Sequence, residues 1–410
     1  MQEWGRLARL NGPFGRYTPW MNLAKCRPLL TLVPALGLAS LVAAYGQRKG
    51  LAFTTDGKAE FKDLVQITYS ADCDSPTAAQ VGDISCDPFG RAYNYPPVWA
   101  DALHALGIER ADTHAVGWGL FVLALGAIIA ISAIGMRYGL LTVAFVTLAA
   151  ASRPMFLMVA RGNTDIVIMA LIAAACWACY RWRSKAGGII LTIAVAVATG
   201  LKMYPIGGAL GLIGRWRVMV TAIVAGALLT AIFTGGKALE LQGYTPAVVD
   251  KSFGSGVIIA QLRGHSEVET VDMVMGIALV LLLAGVLLAT PYVRKHCAAF
   301  AASISSSDAS RMTFMASAGI FGVVYLLTTS FNYRLWPILI LTAVAGIAIA
   351  NTSSRLAGIA FSALGVAAIQ IQASVLVTAY ASVLIALCAI IATGSIRSTA
   401  TAQRMEPATA

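Results

Sequence analysis

Two aspartates and five cations carry the chemistry open to this sequence. Asp63 lies in AEFKDLVQITYS (59–70), and Asp87 opens DPFGRAYNYPPVW (87–99). Either carboxylate can take a proton from an attacking hydroxyl. Arg91, Arg153, Arg161, Lys202 and Arg334 stand in short polar interruptions between apolar runs. Arginine and lysine are the usual partners of phosphate oxygens, so cations gathered on one side point to a phosphate-bearing ligand. Hydrogen-bonding neighbours accompany them: Tyr93, Asn94 and Tyr95 after Arg91, Asn163 and Asp165 after Arg161, Tyr204 after Lys202, and Asn332 and Tyr333 before Arg334.

Each of these residues also has an ordinary structural reading. Asp-Pro followed by glycine is turn chemistry, which alone accounts for Asp87. Asn163 or Thr164 suits a helix cap, and an acid such as Asp165 is favoured at a helix amino end. A lone lysine at a helix end snorkels, and interfacial tyrosines and tryptophans anchor a chain in the bilayer. Pro96 and Pro97 stiffen the segment around Arg91, Tyr93 and Asn94.

The elements that must position these residues are membrane helices. The 410 residues are 58% hydrophobic and 12% charged, with a mean hydropathy of +0.75. Soluble domains run nearer a quarter charged, and the alternating ten-residue segments of a β-barrel are absent, so the expected fold is an all-α polytopic membrane protein. Apolar windows give about twelve spans. They fall near 29–45, 114–135, 138–152, 164–181, 187–202, 203–213, 218–234, 270–291, 312–330, 334–350, 355–372 and 374–393. The window 203–213 is too short for a straight crossing and reads as half of a broken helix or a re-entrant piece. The first window follows a basic tail but reads as an uncleaved helix. Cytoplasmic tails at 1–28 and 395–410 flank one transmembrane domain over 29–394.

With the amino terminus inside, the tails and inner connectors hold 17 of the 30 Lys and Arg but only Glu3, Asp308 and Glu406 of the 19 acids. That is the positive-inside pattern, with both termini cytoplasmic. The basic residues flank helices and form no single patch, which excludes nucleic acid as a partner. The connectors 46–113 and 235–269 then lie outside, the first with a short interfacial helix whose Phe61, Leu64, Val65 and Thr68 share a face. Tyr244, Arg263 and His265 in the second are candidates for an acceptor lid. Cys73 and Cys86, both outside, can form a disulfide. No cysteine and histidine cluster has zinc spacing, so no metal is expected.

Four stretches occur in a recognisable order: YNYPPVWADALHALGI, RGNTDIVIMALI, LKMYPIGGAL and NYRLWPI. Over roughly 55–340 the chain resembles the membrane glycosyltransferases of the GT-C superfamily, most of all glycosyltransferase family 87. The resemblance implies a GT-C-like bundle in a bacterial inner membrane with its site facing outward. The donor it implies is a polyprenyl-phosphate sugar, typically mannose or a pentose. The sugar passes to a lipid-linked or polysaccharide acceptor, and no cofactor is expected. An acid in the first outer loop serves such enzymes as general base, and Asp63 stands there. Tyr69 lies farther along than the family pattern places its tyrosine, which keeps Asp87 as the alternative. A transporter or lipid-linked-sugar flippase is the rival class, although no repeated halves are visible.

Overall fold

A computed structural model describes residues 28–49, 61–73, 80–182, 184–243, 249, 252–327 and 330–405. It is 80% helical. In chain order the helices are α1 (Val33–Lys49), α2 (Lys62–Ala71), α3 (Val98–Ala105), α4 (Thr113–Met136), α5 (Leu140–Ala150), α6 (Arg153–Ala160), α7 (Asp165–Arg181), α8 (Ser184–Leu201), α9 (Trp216–Phe233), α10 (Ala238–Gly243), α11 (Ser255–Arg263), α12 (Thr270–Ala289), α13 (Pro291–Ser305), α14 (Asp308–Leu327), α15 (Pro337–Ala350), α16 (Arg355–Ile371) and α17 (Ser374–Met405). The strands β1 (Ser252–Phe253) and β2 (Ser330–Phe331) form one antiparallel pair.

Among the described residues six segments are long and apolar enough to cross a membrane: Arg110–Met136, Trp216–Phe233, Thr270–Ala289, Asp308–Leu327, Asn332–Ala350 and Ser374–Ser395. Leu140–Ala150 and Arg153–Ala160 make a seventh if they count as one span bent by 53°. The remaining expected windows fall on shorter elements. Pro28–Ala44, Lys185–Leu201 and Arg355–Ile371 are shorter apolar helices, and α7 has 17 residues. The structure thus supports six or seven full-length crossings by length and composition, against about twelve expected. α17 continues past the window ending at 393, and residues 1–27 and 406–410 of the tails lie outside the described residues.

Burial sorts the helices. The apolar window of Asn332–Ala350 is 83% buried, so α15 is the central core helix. Those of α9 and α12 are 17% and 22% buried, leaving Leu228, Ile232, Val274 and Leu282 exposed. Apolar surface on that scale is stable against lipid, not water.

The short window 203–213 becomes a nine-residue 3-10 segment, Tyr204–Leu212, packed against α14. Gly207 and Gly319 meet there backbone to backbone, and a Cβ on either would collide with the other's carbonyl. Close approach of small residues is how buried non-helical backbone is accommodated at membrane depth. α13 is the longest of the helices that the apolar windows leave in a connector. Its Cys297, Phe300, Ala301 and Ile304 are buried at helical spacing, a pattern visible in the sequence but masked by the charged run Arg294–Lys295.

Candidate active site

α2 hangs by its first turn from the turn that ends α6. The Phe61 and Asp63 N–H groups each donate to a carbonyl, of Ala160 and Arg161 respectively, at 2.9 Å, and the Leu64 N–H donates to the Arg161 carbonyl at 3.3 Å. A helix leaves its first-turn N–H groups without intrahelical partners, and here another turn's main chain caps them. The approach depends on Gly162, whose φ is +59° and where a Cβ would stand 2.9 Å from the Leu64 Cβ. Only glycine takes both the left-handed backbone and that proximity without strain.

The docking puts Asp63 at the meeting point of three donors. Arg161 grips it with two parallel bonds, Nε to Oδ2 at 3.0 Å and Nη2 to Oδ1 at 2.6 Å. The Asn163 amide donates to Oδ2 at 2.6 Å, and Arg91 Nη1 stands 3.9 Å from Oδ1. The Asp63 side chain is 7% exposed, while those of Arg161 and Arg91 are 35% and 26% exposed. The carboxylate is therefore shielded and its two arginines are open.

Asp87 plays a different part. Arg91 donates Nε and its own backbone N–H to Oδ2, at 2.8 and 2.7 Å, and Nη2 to Oδ1 at 3.0 Å. Nη2 also reaches the Lys62 carbonyl at 2.7 Å, so Asp87 fixes an arginine that bridges its own turn to the start of α2. Burial tends to raise the Asp87 pKa, but the hydrogen bonds and charge of Arg91 outweigh it and hold the carboxyl below its usual range.

Behind Asp63 lies a second, fully buried carboxylate. Asp165 opens α7 with no exposed surface. Lys202 Nζ is 2.7 Å from its Oδ1, the Tyr204 hydroxyl donates to the same oxygen at 3.0 Å, and Arg334 Nε is 3.5 Å from Oδ2. Trp336 Nε1 donates to the Tyr204 hydroxyl at 3.4 Å, and Lys202 lies 5.3 Å over the Tyr95 ring. Burial, reinforced by Asp63, Tyr333 and Asp165, keeps the Tyr95 phenol well above its ordinary pKa and hence neutral.

Around these two centres Arg91, Arg161, Lys202 and Arg334 face Asp63, Asp87 and Asp165. Four cations against three carboxylates leave one net positive charge, which favours an anionic ligand. Other expected residues fall outside the cluster. Arg153 is exposed at the far end of α6 from Arg161, roughly 12 Å along the helix. Tyr93 is buried against α2, its hydroxyl on the Pro96 carbonyl at 3.5 Å, and Asn94 is half-buried beside it. The Asn332 amide turns to Gln372 Oε1 at 2.7 Å, while Tyr333 packs buried within electrostatic reach of Asp63 and Asp165. Trp336 is the participant the sequence reading missed, although it stands two residues after Arg334 in the same motif.

Of the connector 235–269, Tyr244 lies outside the described residues. Arg263 and His265 face the acids of the capping box that starts α12: Arg263 donates to Asp272 Oδ1 at 2.7 Å and stands 3.7 Å from Glu269, and His265 Nδ1 is 3.4 Å from Asp272 Oδ2. His265, Glu269 and Asp272 are within metal-ligand distance of one another, but the Arg263 guanidinium already occupies their charge. Cys73 and Cys86 form a disulfide that ties the residues just after α2 to the residue before Asp87.

A family model described as glycosyltransferase family 87 matches residues 93–317, more than half of the chain. The match includes Tyr95, Arg161, Asn163, Asp165, Lys202 and Tyr204, while Asp63, Asp87, Arg91 and Arg334 lie outside it. No curated protein and no solved structure matches the chain.

Proposed function

Because the chain belongs to glycosyltransferase family 87, whose members are membrane-bound, we propose that it moves a sugar from a polyprenyl-phosphate donor to a lipid-linked or polysaccharide acceptor at the outer face of a bacterial inner membrane. Asp63 is the general base. Its carboxylate takes the proton of the acceptor hydroxyl as that oxygen bonds the anomeric carbon from the face opposite the donor phosphate, and the bond from that carbon to the phosphate oxygen breaks. The configuration inverts, and the leaving group is the lipid phosphate with its charge. Arg161 and Arg91 receive that charge, being open to solvent beside Asp63. Mannose or a pentose is the sugar that the family resemblance favours.

The observation that carries this reading is the shielded carboxylate held between two open guanidiniums. It also favours Asp63, which stands beside both guanidiniums, over Asp87, which meets Arg91 alone. Asp87 instead positions Arg91 for the phosphate. The test is sugar transfer by purified protein supplied with a panel of labelled polyprenyl-phosphate sugars. Asp63→Asn is expected to lower turnover roughly 10²- to 10⁴-fold, the usual worth of a general base. Asp87→Asn is expected to weaken the apparent affinity for the donor more than turnover. Transfer that survives Asp63→Asn at the wild-type rate rules Asp63 out as base.

A further inference from the structure

Asn163 has no exposed surface, so it is out of a substrate's reach. Its carboxamide is nevertheless fixed from both sides. The Asp165 backbone N–H at 2.9 Å and the Lys202 ammonium at 3.1 Å can only donate, so the atom they meet is the carbonyl oxygen. The other end faces a carboxylate oxygen of Asp63 at 2.6 Å, which an amide NH2 satisfies and an amide oxygen does not. Lys202 is held in turn by Asp165, whose carboxylate also takes the Tyr204 hydroxyl and faces Arg334.

We propose that Asn163 is a positioning residue that orients Asp63, and that the buried Lys202–Asp165 pair exists to lock the Asn163 carboxamide in the one orientation that does so. This rests on Asp63 being the base. The reason such a residue is needed lies in the exposure of the arginines. A donor phosphate reaching Arg161 and Arg91 competes with Asp63 for them, and the grip that Arg161 has on the carboxylate loosens. Asn163 is beyond the phosphate's reach, so its bond to Oδ2 is the one that persists. Oδ1, which Arg161 Nη2 and Arg91 now face, is then the oxygen presented to the acceptor hydroxyl. The buried lysine and its aspartate hold the base and do not contact the donor.

The groups facing Asp63 are Arg91 from the turn before α3, Arg161 at the end of α6, Lys202 at the end of α8, and the phenols of Tyr95 and Tyr333. Beside them Asn163 donates an uncharged N–H directly to Oδ2. Removing it leaves the carboxylate one charge-assisted hydrogen bond short and Oδ2 unheld on its buried side.

The experiment is infrared difference spectroscopy of purified protein, following the antisymmetric stretch of ionised carboxylates, with the Asp63 band assigned by its loss in Asp63→Asn. Asn163→Ala removes the amide, and Asn163→Leu removes it while keeping its shape, so either variant that folds decides the matter. The expected result is a displaced Asp63 band, because the carboxylate has lost the hydrogen bond to Oδ2. With it, turnover falls roughly 10- to 100-fold while binding of undecaprenyl phosphate without a sugar changes little. An unmoved band overturns the proposal and leaves Asp63 standing as base. Loss of undecaprenyl phosphate binding in step with turnover also overturns it, by making Asn163 part of the donor site. If Asp63→Asn retains transfer, the base assignment fails, and the band still reports whether Asn163 governs that carboxylate.

Discussion

At the scale of single residues, the site separates carboxylates that share a residue type but not a role. Asp87 is committed to Arg91, Asp165 to Lys202, Tyr204 and Arg334, and Asp63 to arginines that are partly open. The sequence displayed all three acids and all the cations, yet their pairing was not legible. Partners such as Asp63 and Arg161 are 98 residues apart, and nothing local distinguishes one aspartate in a polar interruption from another. The Asp87 pair carries a pH dependence with a definite sign. The folded-state pKa is lowered below 3.8, so the stabilisation is fully present above the ordinary carboxylate range and is lost as pH falls through the folded value. Thermal melts of wild type and Asp87→Asn, followed by tryptophan fluorescence, are expected to differ above about pH 4 and to converge on acidification below it. Parallel curves across that range would mean that the pair contributes nothing to folding.

At the scale of elements, the polar residues sit where helices are interrupted. The turn 161–164 and the 3-10 segment after α8 each break what would be a regular span, and each supplies members of the cluster. Apolar windows located most of these spans, because hydrophobic length is a local property. They did not locate α13 or the fold of 203–213, whose form is set by the contact of Gly207 with Gly319 and not by propensity. The Cys73–Cys86 bridge is the covalent counterpart of these contacts, closing a separation of 13 residues between α2 and the Asp87 turn. Closing a loop of that size is worth about 3 kcal/mol in the chain-entropy view. Reduction, or Cys86→Ser, is expected to lower sugar transfer and to speed proteolysis in 80–90 while the helical circular dichroism signal stays constant. A collapse of the whole bundle on reduction would show that the bridge supports more than the first connector.

At the scale of the whole molecule, the structure is polar from end to end. One end gathers Asp63, Arg161, Asp165, Lys202 and Arg334, and the other gathers Arg137 with Tyr180 and Asp308 with Arg215 and Arg311. This separation was legible in the sequence, since basic connectors alternate with the unusual polar ones along the chain. With the site end outside, as proposed, a cysteine introduced at Ile84, 62% exposed, reacts with a membrane-impermeant maleimide in intact cells. One at Leu356, 66% exposed, reacts only after permeabilisation. The reverse pattern would invert the orientation and the side on which sugar is transferred. The hanging of α2 has a meaning at this scale too. Its first turn is held by carbonyls of residues 160 and 161, groups that every amino acid possesses. The address of the base is thus written largely in the main chain, with Gly162 opposite Leu64 and Gly117 opposite Phe61 leaving room for it. Exposed positions of the first connector such as Ile84 can then vary toward new acceptors without moving the acid that serves them.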